Sequence, residues 1–192
     1  MAVVKTNPMK LVGPWTTGYV LDYHSISAVP TGDPYHPFDI KRTELGELVY
    51  RLKYAGDQNA IVDIVDTVAD FIGSHNPGIT KLVPAPPSLK RPAQPVVVIA
   101  AQLAIRLNID ILEHAIEKVK DTPSMKNVQD WFERQRLLAD SIKLGADNVT
   151  GHSILLFDDL TQSGATLGRT AEVLLKDGNA KAVHVLTLTR TR

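Results

Sequence analysis

Cysteine is absent from the 192 residues. That excludes disulfides, thiolate metal sites and a thiol nucleophile. Net charge is absent as well, since 21 basic side chains balance 21 acidic ones. No global field draws the chain to nucleic acid or an anionic membrane, so an anion site must be built locally. No apolar run approaches the ~20 residues of a membrane span, and the N-terminus lacks the apolar core of a signal peptide. The expectation is a cytoplasmic protein with no membrane contact. The histidines, His24, His36, His75, His114, His152 and His184, show no metal-ligand spacing, which argues for surface or packing roles. What remains is ordinary: 44% apolar and 22% charged residues, enough for one globular domain with a sizeable core.

The chain is organised around His152 to Leu174. Ile154, Leu155, Leu156 and Phe157 form a run that is apolar at every position, the pattern of a strand buried on both faces. Asp158 and Asp159 follow at once. Then comes a turn rich in hydroxyls and glycine, Thr161-Gln162-Ser163-Gly164-Ala165-Thr166, and a helical pattern from about Leu167 to Lys176. A buried strand that ends in acids and turns through glycine into a helix is a ligand-binding corner of an open α/β sheet. Backbone N–H groups in such a turn make an anion cradle, and the helix dipole and three hydroxyls strengthen it. The acids repel a phosphate, so they suit neighbouring sugar hydroxyls or a metal-loaded ligand. The pair of features points to a phosphorylated sugar lying across the loop.

The rest of the chain alternates. Residues 1–40 are expected to be irregular, broken by Pro8, Pro14, Pro30, Pro34 and Pro37. Within them WTTGYVLDYHS (15–25) fits a hairpin or a short strand pair. Leu45, Leu48, Val49 and Leu52 give one helix face, ended at Tyr54 to Asp57. Ile61, Ile64, Val65, Val68 and Ile72 give a second, stopped by Gly73. Ile79 to Val83 fits a strand. The stiff loop behind it carries Pro87, Ser88, Lys90 and Arg91, a second corner suited to an anion, with Pro95 in the first turn of the next helix. Ile109 to Val119 is ambiguous between strand and helix. Asp121 to Ser124 is turn-rich and bracketed by lysines, Lys126 among them. Val128 to about Lys143 looks helical, with Trp131 on its buried face and Arg134 and Arg136 on the same helix. Ala182 to Leu188 is a last strand. The order predicts an α/β fold: a mainly parallel twisted sheet, helices on both faces, residues 1–40 as a small irregular N-terminal hood or edge segment, and 41–192 as the α/β domain.

The stretch ILLFDDLTQSGAT resembles the signature of the type I phosphoribosyltransferases, with Gln162 where a hydroxyl residue is usual. The resemblance implies that Asp158 and Asp159 hold the ribose hydroxyls of phosphoribosyl pyrophosphate and act in catalysis. It implies that Thr161, Gln162, Ser163, Gly164, Ala165 and Thr166 hold the 5′-phosphate. From Leu45 onwards the chain is similar to the ComF group. LVYRLKYAGD (48–57) resembles its Leu-Lys-Tyr segment, LVPAPPSLKR (82–91) its pyrophosphate loop with Gln94 beyond, DTPSMKN (121–127) its flexible loop, and HVLTLTRT (184–191) its closing strand. The N-terminal zinc ribbon of that group is missing. Pyrophosphate-binding roles then fall to Pro87, Ser88, Lys90, Arg91 and Lys126. Mg²⁺ would be carried by the pyrophosphate, with no metal site on the protein.

The implied function is transfer of a phosphoribosyl group to an unidentified nucleophile with release of pyrophosphate. Two alternatives stay open. One is a non-catalytic regulator that binds phosphoribosyl pyrophosphate or a nucleotide monophosphate. The other is a ComF-like accessory protein in DNA uptake, against which the even charge balance argues. Oligomeric state is not legible, and a homodimer stays open.

Overall fold

A computed structural model describes residues 3–75, 77–87, 94–119 and 141–191. The frame is a six-stranded sheet. In chain order its strands are β1 (Met9–Lys10), β2 (Thr17–Tyr23), β5 (Lys81–Pro84), β6 (Asp110–Ile111), β9 (Ser153–Thr161) and β10 (Ala182–Arg190). They lie side by side as β1-β2-β10-β9-β5-β6. Every pairing is parallel except β1 with β2. Two small antiparallel pairs stand apart from it: β3 (Ser25–Pro30) with β4 (Phe38–Arg42), and β7 (Ile116–Lys118) with β8 (Ile142–Leu144).

The apolar runs explain the layering. In β9, Leu155 and Phe157 join one core cluster, while Ile154 and Leu156 join another. The period of two in a strand sends alternate side chains to opposite faces, so a run without polar residues needs cover on both. Helices α1 (Glu44–Tyr50), α2 (Ala60–His75) and α3 (Pro95–Leu107) cover the face of Leu155 and Phe157 with Leu45, Ile64, Val68, Ile99 and Leu103. Helix α4 (Ala165–Glu172) covers the other with Leu167 and Ala171. The α/β fold with a mainly parallel sheet and helices on both faces is thus the observed one.

Several expectations change. Residues 1–40 are not irregular throughout: the strand expected within 15–25 is β2, but its partners are β1 and, along most of its length, β10. Burial of Val20 and Leu21 between these neighbours holds it in the sheet. Gly73 does not stop α2, which continues to His75. The ambiguous stretch 109–119 resolves into the short strands β6 and β7. The helical pattern over Val128 to Lys143, with Trp131, Arg134 and Arg136, lies largely outside the described residues, and Ile142 to Leu144 at its end is strand β8.

Candidate active site

Five parallel strands, β2, β10, β9, β5 and β6, run in one direction, so their carboxyl ends share one edge of the sheet. Asp158 and Asp159 sit near the end of β9, and β5 ends beside them at Pro84, in register with Phe157. The carboxyl ends of a parallel sheet are where an open α/β fold leaves a crevice. A cleft of about 220 Å³ opens there. Asp158, Asp159 and the whole turn from Thr161 to Thr166 line one side of it. Pro86, Pro87 and Gln94 from the β5–α3 corner line another. The strand, the diacid and the turn are contiguous in sequence, and the fold adds the second corner. Ser88, Lys90, Arg91 and Lys126 lie outside the described residues.

The turn is built for a tight approach. Gly164 caps α4 with φ of 72°, a left-handed conformation that costs a residue with a Cβ roughly 1–2 kcal/mol. Thr161 Oγ1 accepts from the Gly164 N–H at 3.2 Å, and Ser163 Oγ accepts from the Ala165 N–H at 3.4 Å. Two cradle amides are therefore held by the turn's own hydroxyls. Both bonds are at the long end of hydrogen-bond geometry.

The two acids are not equivalent. Asp159 continues the face of Leu155 and Phe157, the side on which α1 packs. There it meets Lys53, whose Nζ donates to Asp159 Oδ1 at 2.8 Å. Both side chains are about 12% exposed. Asp158 falls on the opposite face and accepts the Asp159 N–H at 2.8 Å. Burial pushes its carboxyl up to about 7, the Asp159 charge adding to the effect and Lys53 opposing it.

Lys53 is the residue that sequence reasoning missed. It belongs to a π-helical turn, Arg51–Ala55, that extends α1 and ends at Gly56 with φ of 67°. Such turns are rare and concentrate at functional sites. The approach of α1 is fixed by its cap. Thr43 Oγ1 donates to the Tyr23 carbonyl at 2.7 Å and accepts from the Gly46 N–H at 3.0 Å. Gly46 lies so close to the His24 carbonyl that a Cβ would collide with it. The only signal in the sequence was the LVYRLKYAGD (48–57) resemblance, which contains Lys53 and Tyr54 without giving either a role. Tyr54 is 65% exposed and does not line the cleft.

A short chain of hydrogen bonds braces the diacid from behind. Thr189 Oγ1 donates to the Asp159 carbonyl at 3.2 Å and lies 3.2 Å from His24 Nδ1. The hydroxyl has one proton, so His24 Nδ1 is the donor in the second bond. Burial, helped by Arg42 and Lys53, holds the His24 pKa below its usual value. His24 is thus a neutral strut. Among the described residues no group of three or more His, Asp or Glu side chains is placed to hold a metal ion, and no helix is long and apolar enough to cross a membrane.

No protein-family model matches the sequence. No curated protein matches it either. Among solved structures, the chain is similar to adenine phosphoribosyltransferase from Saccharomyces cerevisiae, solved with an imino-altritol bisphosphate and adenine. The identity is 11% over 84% of this chain and 83% of that one, with a TM-score of 0.49. It is similar to adenine phosphoribosyltransferase from Trypanosoma brucei in complex with AMP, pyrophosphate and ribose-5-phosphate, at 14% identity over 88% and 70% of the two chains and a TM-score of 0.45. It is similar to a hypoxanthine phosphoribosyltransferase from Staphylococcus aureus at 14% identity over 68% and 62%, again with a TM-score of 0.45. What the cleft can do is decided by its own residues.

Proposed function

We propose that the cleft binds 5-phosphoribosyl 1-pyrophosphate and passes the phosphoribosyl group to a nucleophile. One observation carries the proposal: a paired carboxylate and an amide-lined turn open into the same cleft, at the end of one buried strand. The turn from Thr161 to Thr166 takes the 5′-phosphate. Asp158 and Asp159 accept hydrogen bonds from the ribose hydroxyls. The pyrophosphate then lies toward the β5–α3 corner, beside Pro87. Mg²⁺ enters with the pyrophosphate as part of the substrate.

In the reaction the acceptor's lone pair forms a bond to ribose C1. The bond from C1 to the pyrophosphate oxygen breaks, and its electron pair leaves with pyrophosphate. Positive charge builds on the sugar ring at the crossing point, as it does in glycoside cleavage. Negative charge from the acids beside the ring stabilises that positive charge. The ComF-like assignment belongs to the same proposal. It is supported by the position of the LVYRLKYAGD segment, whose Lys53 reaches the diacid across 106 residues of sequence.

The test is calorimetry of phosphoribosyl pyrophosphate with Mg²⁺, on wild type and on Asp158→Asn/Asp159→Asn. Wild type binds, and the double variant weakens binding at least about a hundredfold, since two charge-assisted contacts are lost. No binding to wild type, or an unchanged constant in the variant, rejects the proposal. Pyrophosphate release with nucleobases, amines and ammonia donors then identifies the acceptor.

A further inference from the structure

Lys53 is the one cationic side chain that lines the cleft among the described residues. Its ammonium has three N–H donors, and Asp159 is its one hydrogen-bond partner there. The pair is nearly withdrawn from water. A buried ammonium in that state is held in place by its carboxylate and has donors to spare for a second anion. Pro86 and Pro87 stand in the same cleft as Lys53, so an anion entering toward that corner is within its field. Ribose hydroxyls donating to Asp159 would compete with Lys53 for the same oxygens.

We infer that Lys53 is a substrate-binding residue that changes partner. It holds Asp159 until the ligand arrives, and it turns to the pyrophosphate when the ribose hydroxyls take Asp159. This rests on the phosphoribosyl reading and narrows it: the cleft is matched to a ribose phosphate with a second anionic group at C1, ahead of a simple monophosphate. The exchange keeps the ammonium paired at each stage, so its charge is never stranded in the cleft.

The test compares two ligands on each of two proteins. Phosphoribosyl pyrophosphate and ribose 5-phosphate are titrated with Mg²⁺ into wild type and Lys53→Met. The loss of affinity in the variant should be about tenfold greater for the pyrophosphate than for ribose 5-phosphate, the scale of one charge-assisted contact. Binding of ribose 5-phosphate reports an intact cleft, and Lys53→Gln serves if the methionine variant does not fold. Equal losses for the two ligands would overturn the inference and leave the phosphoribosyl reading standing. Failure of wild type to bind either ligand would overturn both.

Discussion

Asp158 is a carboxylate whose environment favours the neutral form. Its pKa stands at about 7 in the folded chain, first because of burial and then because of Asp159. In an unfolded chain it would sit near ~3.9. A raised value means that the native state holds the proton more tightly. Asp158 then supports folding fully below the unfolded value, and that support is lost as pH rises through the folded one. Asp158→Asn is neutral throughout. Its melting temperature should therefore gain on wild type as pH rises from about 4 to about 8. Thermal melts across that range measure the gap, and a constant gap would show an ordinary Asp158. Much of the site is legible at this scale, because Asp158 to Thr166 are contiguous and each residue type has one evident use. Lys53 is not. A lysine on a helical turn has the same local pattern whether it faces water or a buried acid, and only the docking of α1 decides between them.

At the scale of elements, the site depends on how closely α1 lies against the end of β2. Gly46 permits that approach, and Thr43 fastens it. Gly46→Ala would push a methyl group into the His24 carbonyl, which is backbone and yields only if the helix moves. Overpacking of this kind costs about 1–3 kcal/mol, to be read from urea denaturation. The same shift draws Lys53 from Asp159, so ligand affinity should fall as well. Unchanged stability in Gly46→Ala would mean that α1 sits more loosely than described. Strand β9 could be read from its unbroken apolar run, and helices α1 and α2 from hydrophobic period. Strand β2 could be read only as half of a strand pair within 15–25. Gly13 and Pro14 precede it, Gly18 lies within it, and its burial comes from β10, far along the chain. Local pattern marks an element when the element makes its own case, and β2 is made by its neighbours.

At the scale of the whole molecule, the β3–β4 ribbon is the part that the core does not claim. The register sets Ala28 beside Ile40 and Pro30 beside Phe38, so these four share one apolar face. That face is open, with Phe38 54% and Ile40 41% exposed. Phe38→Ser with Ile40→Ser should change stability by no more than about 0.5 kcal/mol, as for other exposed sites. Leu45→Ala, at a fully buried position, should cost about 2–5 kcal/mol. Denaturant midpoints of the two variants make the comparison. A large loss in the ribbon variant would mean that its apolar face is covered in solution.

The sheet order also has a consequence for how the molecule is made. Strand β2 enters the sheet beside β10, with His184 opposite Thr17 and Arg190 opposite Tyr23. The ribosome delivers β2 long before its partner exists. Until Ala182 to Arg190 has been made, Val20 and Leu21 lack that side of their slot in the sheet. The nascent chain must therefore make β10 before β2 can take its place in the sheet.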